Sequence, residues 1–525
     1  MKQFKRRRGS HQRDWSRTDQ GSPLVTTYAY NPDTGELTGI DYSDATPDIT
    51  FTYDRLGRQK TITDAVGTHT FVYNNSLQPE SETTTGIYDR VLTRTYETSG
   101  VTGRPIGFTL GADYNVTYGY ETATGRFASA GWNAGGTTGT ATYSYVPNSN
   151  LLSQLSTDTG LLTTYSYEPK RNLRTQIRNE YNSNLISQYD YIYNELGGRT
   201  SVQNSGQAFL GSAFNLYNYN DRNELTESAR YIGADISDTT NPVEPEYRSY
   251  NYDPIGNRKD TADWDKAGAV QSNLTYTSNQ LNQYDLITND IGQPADSLAY
   301  DTDGNLTSIS DGTSTTQYTY NAENRLISVE LDTPLDGDTK VEFTYDYMGR
   351  RVKKDVYSYL AGNWELNAES LFLYDGWNLV EEQSGSGQPS ANKYYIWGLD
   401  LSQSLQGAGG IGGLVASIDD TSAYQYAYDG NGNVGQLINT SDASIAAHYE
   451  YDPYGNELVA TGPEAQNNVY RFSTKYFDDE TDLYYYGFRY YSASLGRWLS
   501  RDPIGEDGGL NYYAYVKNNV ANLID

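Results

Sequence analysis

Few side chains in this sequence have the type and spacing to do chemistry. Histidine occurs only at His11, His69 and His448, and cysteine is absent. A zinc centre needs several such ligands, and a histidine-activated nucleophile needs a positioned base, so this inventory points away from both. Carboxylates are the abundant reagent. Asp301, Asp303 and Asn305 in DTDGN, and Asp429, Asn431 and Asn433 in DGNGN, alternate as the ligands of a calcium loop do. Neither string has glycine at the sixth position, and Gly312 stands where the first would need its bidentate glutamate, so both read as turns. The glycine-rich run from Leu405 to Val415 has strand-like flanks rather than the strand-to-helix setting of a phosphate loop, and reads as a connection or a kink. On its residues alone, Asp502 before Pro503 caps a turn. The expectation is a chain with no tightly bound metal or organic cofactor.

The elements that would position these groups are repeats. YDRLGR at Tyr53, YNELGGR at Tyr193, YNDRNEL at Tyr219, YDPIGNR at Tyr252, YTSNQLN at Tyr276, YDTDGNL at Tyr300, YNAENRL at Tyr320, YDYMGR at Tyr345, YDGNGN at Tyr428 and YDPYGN at Tyr451 share one plan. Residues alternate before each tyrosine, as a half-covered strand requires, and an apolar residue such as Leu306 or Leu326 opens the return strand. Asp or Asn bonds its own backbone and glycine supplies φ > 0, so each tyrosine-aspartate dyad is a strand end followed by a turn start. The spacing predicts about 30 strands, roughly 140 Å of sheet, far beyond the ~10 strands an open sheet tolerates before curling. Such a sheet must wind around itself and become a wall.

Composition supports a thin wall. There are 52 tyrosines beside 50 glycines, yet the hydrophobic class is only 36%. A thick aliphatic core is not expected, and the 14% aromatic content argues against a disordered chain. The first 20 residues hold seven Lys/Arg and two Asp/Glu, a charge of +5 against -29 for the whole and therefore -34 for the remainder. An acidic body of that size does not bind nucleic acid. The basic run Arg6, Arg7 and Arg8 reads as part of a disordered tail. No apolar run of signal-peptide or membrane-span length occurs, so the expectation is a cytoplasmically made chain without a Sec signal.

The repeats from about Tyr28 onward, and above all YYYGFRYYSASLGRWLSRDPIGEDGGLNYYAYVKNNVANLID from Tyr484 to Asp525, resemble the RHS/YD-repeat family. That family includes the C components of insecticidal ABC toxins, type VI RHS effectors and the teneurin shell. The resemblance implies an all-β fold in which hairpins form one spirally wound sheet, a hollow cocoon or part of one, with a C-terminal RHS core as plug. It further implies a self-cleaving element built from two DPxGL boxes, each giving one aspartate to an aspartyl-protease-like pair. Asp502-Pro503-Ile504-Gly505 matches the first box, with Glu506 in place of its leucine. Asp525 matches the first residue of the second, and Arg501 is expected to tune or clamp the pair. Two close carboxylates can share a proton and act as acid and base around one peptide bond. The rest of the second box lies beyond Asp525, so the element is expected to be incomplete here.

These readings give an expected layout of a basic tail over 1–22, a YD-repeat shell over 23–470 and the RHS-associated core over 471–525. The functional expectation is a shell that encapsulates a C-terminal toxin or effector, exported as part of a toxin complex through secretion machinery. Its length implies that a second shell subunit or an N-terminal shell portion completes the container. The alternative is a cell-surface carbohydrate-binding or adhesion protein whose exposed rings stack on sugars, and a third reading is an autonomous aspartyl protease.

Overall fold

The computed structural model describes residues 11–19, 22–98, 102–264, 270–289, 295–385 and 391–525. A 37-stranded sheet runs from β1 (Gln12–Asp19) to β37 (Glu457–Thr461). Each strand pairs antiparallel with the one before and the one after it, as in the series Phe51↔Ile62, Ile62↔His69 and His69↔Thr84. The expected disordered tail does not hold where it is described: residues 12–19 are the first strand of the wall, where Arg13 lies over Trp15 and the Trp15 indole N–H donates to Thr26 at 2.8 Å. The expected tail residues 1–10 and 20–21 lie outside the described residues. One turn is also displaced. Tyr276 is buried within its strand and the turn starts at Asn279, whose Oδ1 accepts the Leu281 and Gln283 amides.

The repeat has a plain physical basis. In the regular unit the aspartate or asparagine side chain accepts two amides of its own turn, as Asp54 does from Leu56 (2.8 Å) and Arg58 (3.0 Å), and Asp346 from Met348 and Arg350 (2.9 Å each), while Asn194 and Asp301 accept one. The fourth turn residue needs φ > 0, which Gly57 (φ 76) and Gly349 (φ 77) supply. Register slips by one residue at the tyrosine itself, and its hydroxyl then crosses the neighbouring strand to a main-chain carbonyl: Tyr120 to Pro105, Tyr219 to Arg199 and Tyr374 to Arg351, each at 2.7 Å. The residue that closes the turn often reaches the next turn along, as Arg104 reaches Gly125 O (3.1 Å) and Arg350 reaches Gly376 O (2.6 Å). Tyrosine and turn together sew hairpin to hairpin, which replaces the missing aliphatic core.

The sheet overlaps itself. Arg17 meets Asp303 at 2.7 Å, Arg94 meets Asp375 at 2.8 Å, Tyr114 Oη donates to Tyr395 O at 2.8 Å, and Arg248 meets Asp452 at 2.5 Å. The second pass of the wall thus rests along the first, with its YD turns at Asp303, Asp375 and Asp452 against Arg17, Arg94 and Arg248. The separation along the chain falls from 281 residues at Tyr114–Tyr395 to 202 at Tyr252–Tyr454. In strands the step is from β10 (Tyr114–Tyr120) to β32 (Ala391–Trp397), then from β20 (Pro242–Tyr252) to β36 (Ile445–Tyr451). At ~4.8 Å per strand the circumference narrows from about 105 Å to about 77 Å. The wall is a tapering spiral.

The C-terminal segment closes on the narrow part. Its four short strands, β38 (Tyr476–Asp478), β39 (Leu483–Tyr485), β40 (Tyr490–Ser492) and β41 (Arg497–Trp498), form a second sheet. The segment then visits one YD turn after another: Arg497 donates to Asn282 O (2.8 Å), Tyr513 to Gly304 O (2.7 Å) and Asn518 to Gly256 O (2.8 Å). Between them lies an aromatic cluster of Phe472, Tyr484, Tyr491, Trp498 and Tyr515, with Tyr491 and Tyr515 centroids 4.3 Å apart. Pairs of this kind add about 0.5–1.5 kcal/mol each beyond their buried area. Beneath the segment the one-face alternation is lost: every residue of β33 (Leu414–Ile418) is buried, because both faces of the second pass are covered.

Candidate functional site

The C-terminal segment brings Asp502 and Asp525 together. Asp502 N bonds Tyr512 O (3.0 Å) and Gly505 N bonds Asp502 O (3.0 Å), which fixes a tight bend after Pro503. Asp502 Oδ1 accepts the Ile504 amide at 2.9 Å, the turn-capping role its residue type suggests. Its Oδ2 remains free of the turn and lies over Gly508, where an added Cβ would come within 2.6 Å of it. The chain returns through the 3-10 turn Val516–Asn518 to place Asp525 on the same cation.

That cation is Arg489. Its Nη2 is 3.1 Å from Asp502 Oδ2 and 3.6 Å from Asp525 Oδ2, so the two carboxylate oxygens are no further apart than those distances combined. Arg489 is held over the Trp498 ring at 4.0 Å, and burial lowers its pKa against the pull of the two aspartates. Arg501 points elsewhere. It packs over Gly304 and Tyr513, its Nε is buried without a hydrogen-bond partner, and no ion pair joins it to Asp502. Successive residues of extended chain face opposite ways, so the neighbour of Asp502 in sequence is not its neighbour in space.

Burial raises the Asp525 carboxyl, Arg489 draws it down and Asp502 raises it again, while solvent reaching 39% of the side chain screens these effects. Lys475, brought down to about 8 by burial, stands near Asp525 and donates to Gly409 O at 2.8 Å. A carboxylate pair around one guanidinium, with one member raised, is an arrangement able to hold a shared proton. Sequence reasoning found both aspartates and missed Arg489 and Lys475. The available signal was the placing of Arg489 inside the aromatic run from Tyr484 to Tyr491, where a cation must find a carboxylate or a ring.

The calcium-like strings are spent as turns. Asp429 Oδ1 accepts the Asn431 and Asn433 amides and its Oδ2 accepts Asn433 Nδ2 at 2.8 Å, and Asp301 holds Asn305 in the same way while Asp303 receives Arg17. Among the described residues no group of three or more His, Asp or Glu is arranged to hold a metal ion. The run Leu405–Val415 connects β32 to β33 and buries Ile411 against the wall.

A spiral of antiparallel hairpins, sewn by tyrosine hydroxyls and closed by a C-terminal segment, defines a YD-repeat wall protein. Comparisons place it further. The family description "RHS Repeat" matches residues 300–335. Double-stranded DNA deaminase toxin A of Burkholderia cenocepacia (strain H111) is 26% identical over 332 residues, 59% of this chain and 22% of its own length. Toxin subunit YenC2 of Yersinia entomophaga is 60% identical over 47 residues, 9% of this chain and 5% of its own. The crystal structure of TcdB2-TccC3 superposes with a TM-score of 0.76 at 19% identity, over 96% of this chain and 27% of that one. The chain carries an RHS repeat over residues 300–335 and is similar along more than half its length to a protein named as a toxin. The matches span 22% and 5% of the length of these two relatives and 27% of the TcdB2-TccC3 chain.

Proposed function

We propose that this chain is part of the wall of a container that holds a toxin or effector segment, and that Asp502, Asp525 and Arg489 form the centre that severs such a segment from the wall. One observation carries the reading: the sheet winds into a tapering spiral whose narrow part is sewn shut by residues 471–525, an arrangement that makes an enclosed space rather than a display surface. Relatives named as toxins support a toxic cargo. A further length of wall, supplied upstream or by a second subunit, belongs to the same reading, as does export as part of a toxin complex. A sugar-binding role gains nothing from a C-terminal segment that covers its rings.

For the chemistry, water attacks the carbonyl carbon while one carboxylate takes its proton, the other carboxyl protonates the departing amide nitrogen, and the C–N bond breaks to leave an acid and an amine. Arg489 holds both carboxylates against one guanidinium nitrogen. To test this, a small folded reporter is joined after Asp525 through a completed Pro-Ile-Gly-Leu box, together with whatever wall its gene encodes upstream. Wild type is expected to release the reporter on a denaturing gel yet protect it from trypsin at least tenfold over the free reporter, whereas Asp502→Asn and Asp525→Asn release none and still protect. Release by both variants would refute the pair, and a reporter digested as fast as when free would refute the container.

A further inference from the structure

A cavity of about 640 Å³ lies at the seam between the two passes of the wall. The first pass gives it Tyr42 and the loop Asp44–Pro47, and the second gives it residues of β26 (Thr315–Tyr320), β27 (Leu326–Leu331), β28 (Thr339–Tyr345) and β29 (Arg351–Leu360). Its lining holds Asp44, Asp64, Glu323, Glu330, Glu342, Asp346 and Asp355 and no lysine, arginine or histidine.

An account of the carboxylates separates structural ones from idle ones. Asp346 is consumed by Arg350 and its own turn, Asp64 by the Val66 and Tyr347 amides and by His69, Asp44 by the Thr46 amide, and Glu323 by the Tyr42 hydroxyl. Glu330 has no bonded or ionic partner among the described residues. Glu342 has Lys340 at 2.8 Å, with its side chain 41% exposed. Asp355 is 8% exposed, and although its Oδ2 meets Lys353 at 2.9 Å its Oδ1 is buried with no hydrogen-bond partner. Ser328 Oγ, in the same row, is also buried and unpartnered.

The row holds more acids than cations. Register places Ser328 opposite Glu342, Glu342 opposite Asp355 and Asp355 opposite Glu369, so three acids stand side by side across three strands, with Lys340 on Glu342 and Lys353 shared between Asp355 and Glu369 at 2.9 and 2.8 Å. Like charges directly opposite destabilise a sheet. The neighbouring Lys354 turns the other way, to Asp478 and Glu480 of the C-terminal segment, so the acidic row faces away from the plugged interior. Burial raises the Asp355 carboxyl, with Glu369 and Glu342 adding to the rise against Lys353.

We propose that this seam cavity binds a basic peptide segment, whose lysine or arginine side chains supply the missing partners of Asp355 Oδ1 and Glu330. A metal ion fits less well: the idle oxygens lie on separate strands around a space many times the ~30 Å³ of one water. The acids that cost the empty wall stability would then be retained for binding. Two opposite effects follow from one substitution, because removing a charge from the row relieves the free wall and weakens the complex.

The test uses the full chain at physiological ionic strength with capped tetralysine as probe. The peptide is expected to raise the melting temperature of wild type. Asp355→Asn combined with Glu330→Gln is expected to melt higher than wild type without peptide and to bind at least tenfold more weakly. Glu80→Gln, which removes an exposed acid outside the cavity, should bind as wild type does. The proposal is overturned if Glu80→Gln weakens binding as much as the cavity pair, which would mean diffuse attraction to an acidic body, or if spermine binds while tetralysine does not. It is equally overturned if the cavity pair lowers the melting temperature of the free chain, since the acids would then be structural.

Discussion

Arg351→Met is expected to loosen the C-terminal segment from the wall, at a cost of about 3–5 kcal/mol for a buried ion pair broken on one side. Arg351 is 1% exposed and forms its ion pair with Asp478, which is fully buried. Four rings surround the guanidinium, with Tyr476 and Tyr485 at 4.6 Å, Phe372 at 4.9 Å and Phe343 at 5.2 Å. Two of these rings belong to the wall and two to the C-terminal segment, so one side chain joins the two sheets. Methionine keeps much of the volume and removes the charge, leaving Asp478 with Lys354 Nζ at 3.3 Å, itself shared with Glu480. The Arg351 amide still donates to Tyr485 Oη at 2.7 Å, so the backbone junction survives and the loss reports on the charge. Limited proteolysis should cut the variant within 471–525 well before wild type, with a lower urea midpoint. Adding Asp478→Leu should recover most of the loss, because an apolar pair in place of a buried ion pair is close to neutral. A single variant as resistant as wild type, or a double variant no better than the single, would sink the argument.

How much of this was legible in the sequence follows from range. The Tyr-Asp turn is local: a side chain bonds amides two and four residues away, and the string YDYMGR contains every atom needed. Strand periodicity and the necessity of winding follow from the same strings. The β1 strand was hidden because Arg13, Trp15 and Arg17 alternate with polar residues: Arg13 finds its ring, Trp15, within the strand, but Arg17 finds Asp303 only when the second pass arrives. The turn at Asn279 was hidden because its strand ends on Ser278 instead of tyrosine. At the candidate site the box spacing located Asp502 and Asp525, but Arg489 reaches them from another strand of the segment. Residues adjacent in the chain, Arg501 and Asp502, proved the weaker guide to residues adjacent in space.

Raising the pH from 6.5 to above 9 is expected to cost the wall about 3 kcal/mol through His69 alone. His69 is 2% exposed, with Nδ1 3.1 Å from Glu82 Oε1 and Nε2 3.3 Å from Asp64 Oδ2, the latter an ion pair without hydrogen-bond geometry. Its ring meets Tyr347 edge-on at 5.2 Å, and the Tyr347 amide donates to Asp64 at 2.7 Å, so the cluster clasps the first pass of the wall to a YD turn of the second. Burial, the largest single effect, pulls the imidazolium pKa down, but Asp64 and Glu82 outweigh it and bring the value up to about 9. Glu82 is in turn held below the usual carboxylate range: burial opposes this, and His69, Arg350 and Arg94 prevail. Because the folded pKa lies above the unfolded value of ~6.5, the stabilisation is complete below 6.5 and is lost as pH rises through 9. Lys475 works the other way, since its folded value of about 8 lies below that of a free lysine and adds stability as pH rises past it. The measurement is therefore a difference: urea midpoints of wild type and His69→Gln from pH 6 to 10, in which the Lys475 contribution cancels. Glutamine can bond one carboxylate but carries no charge, so the variant should be weaker than wild type at pH 6.5 and approach it by pH 10. Protection factors at 346–350, corrected for the intrinsic rise of amide exchange with pH, should fall over the same interval in wild type only. Parallel curves for the two proteins would show that His69 is neutral in the folded wall and that the clasp is held by Tyr347 alone.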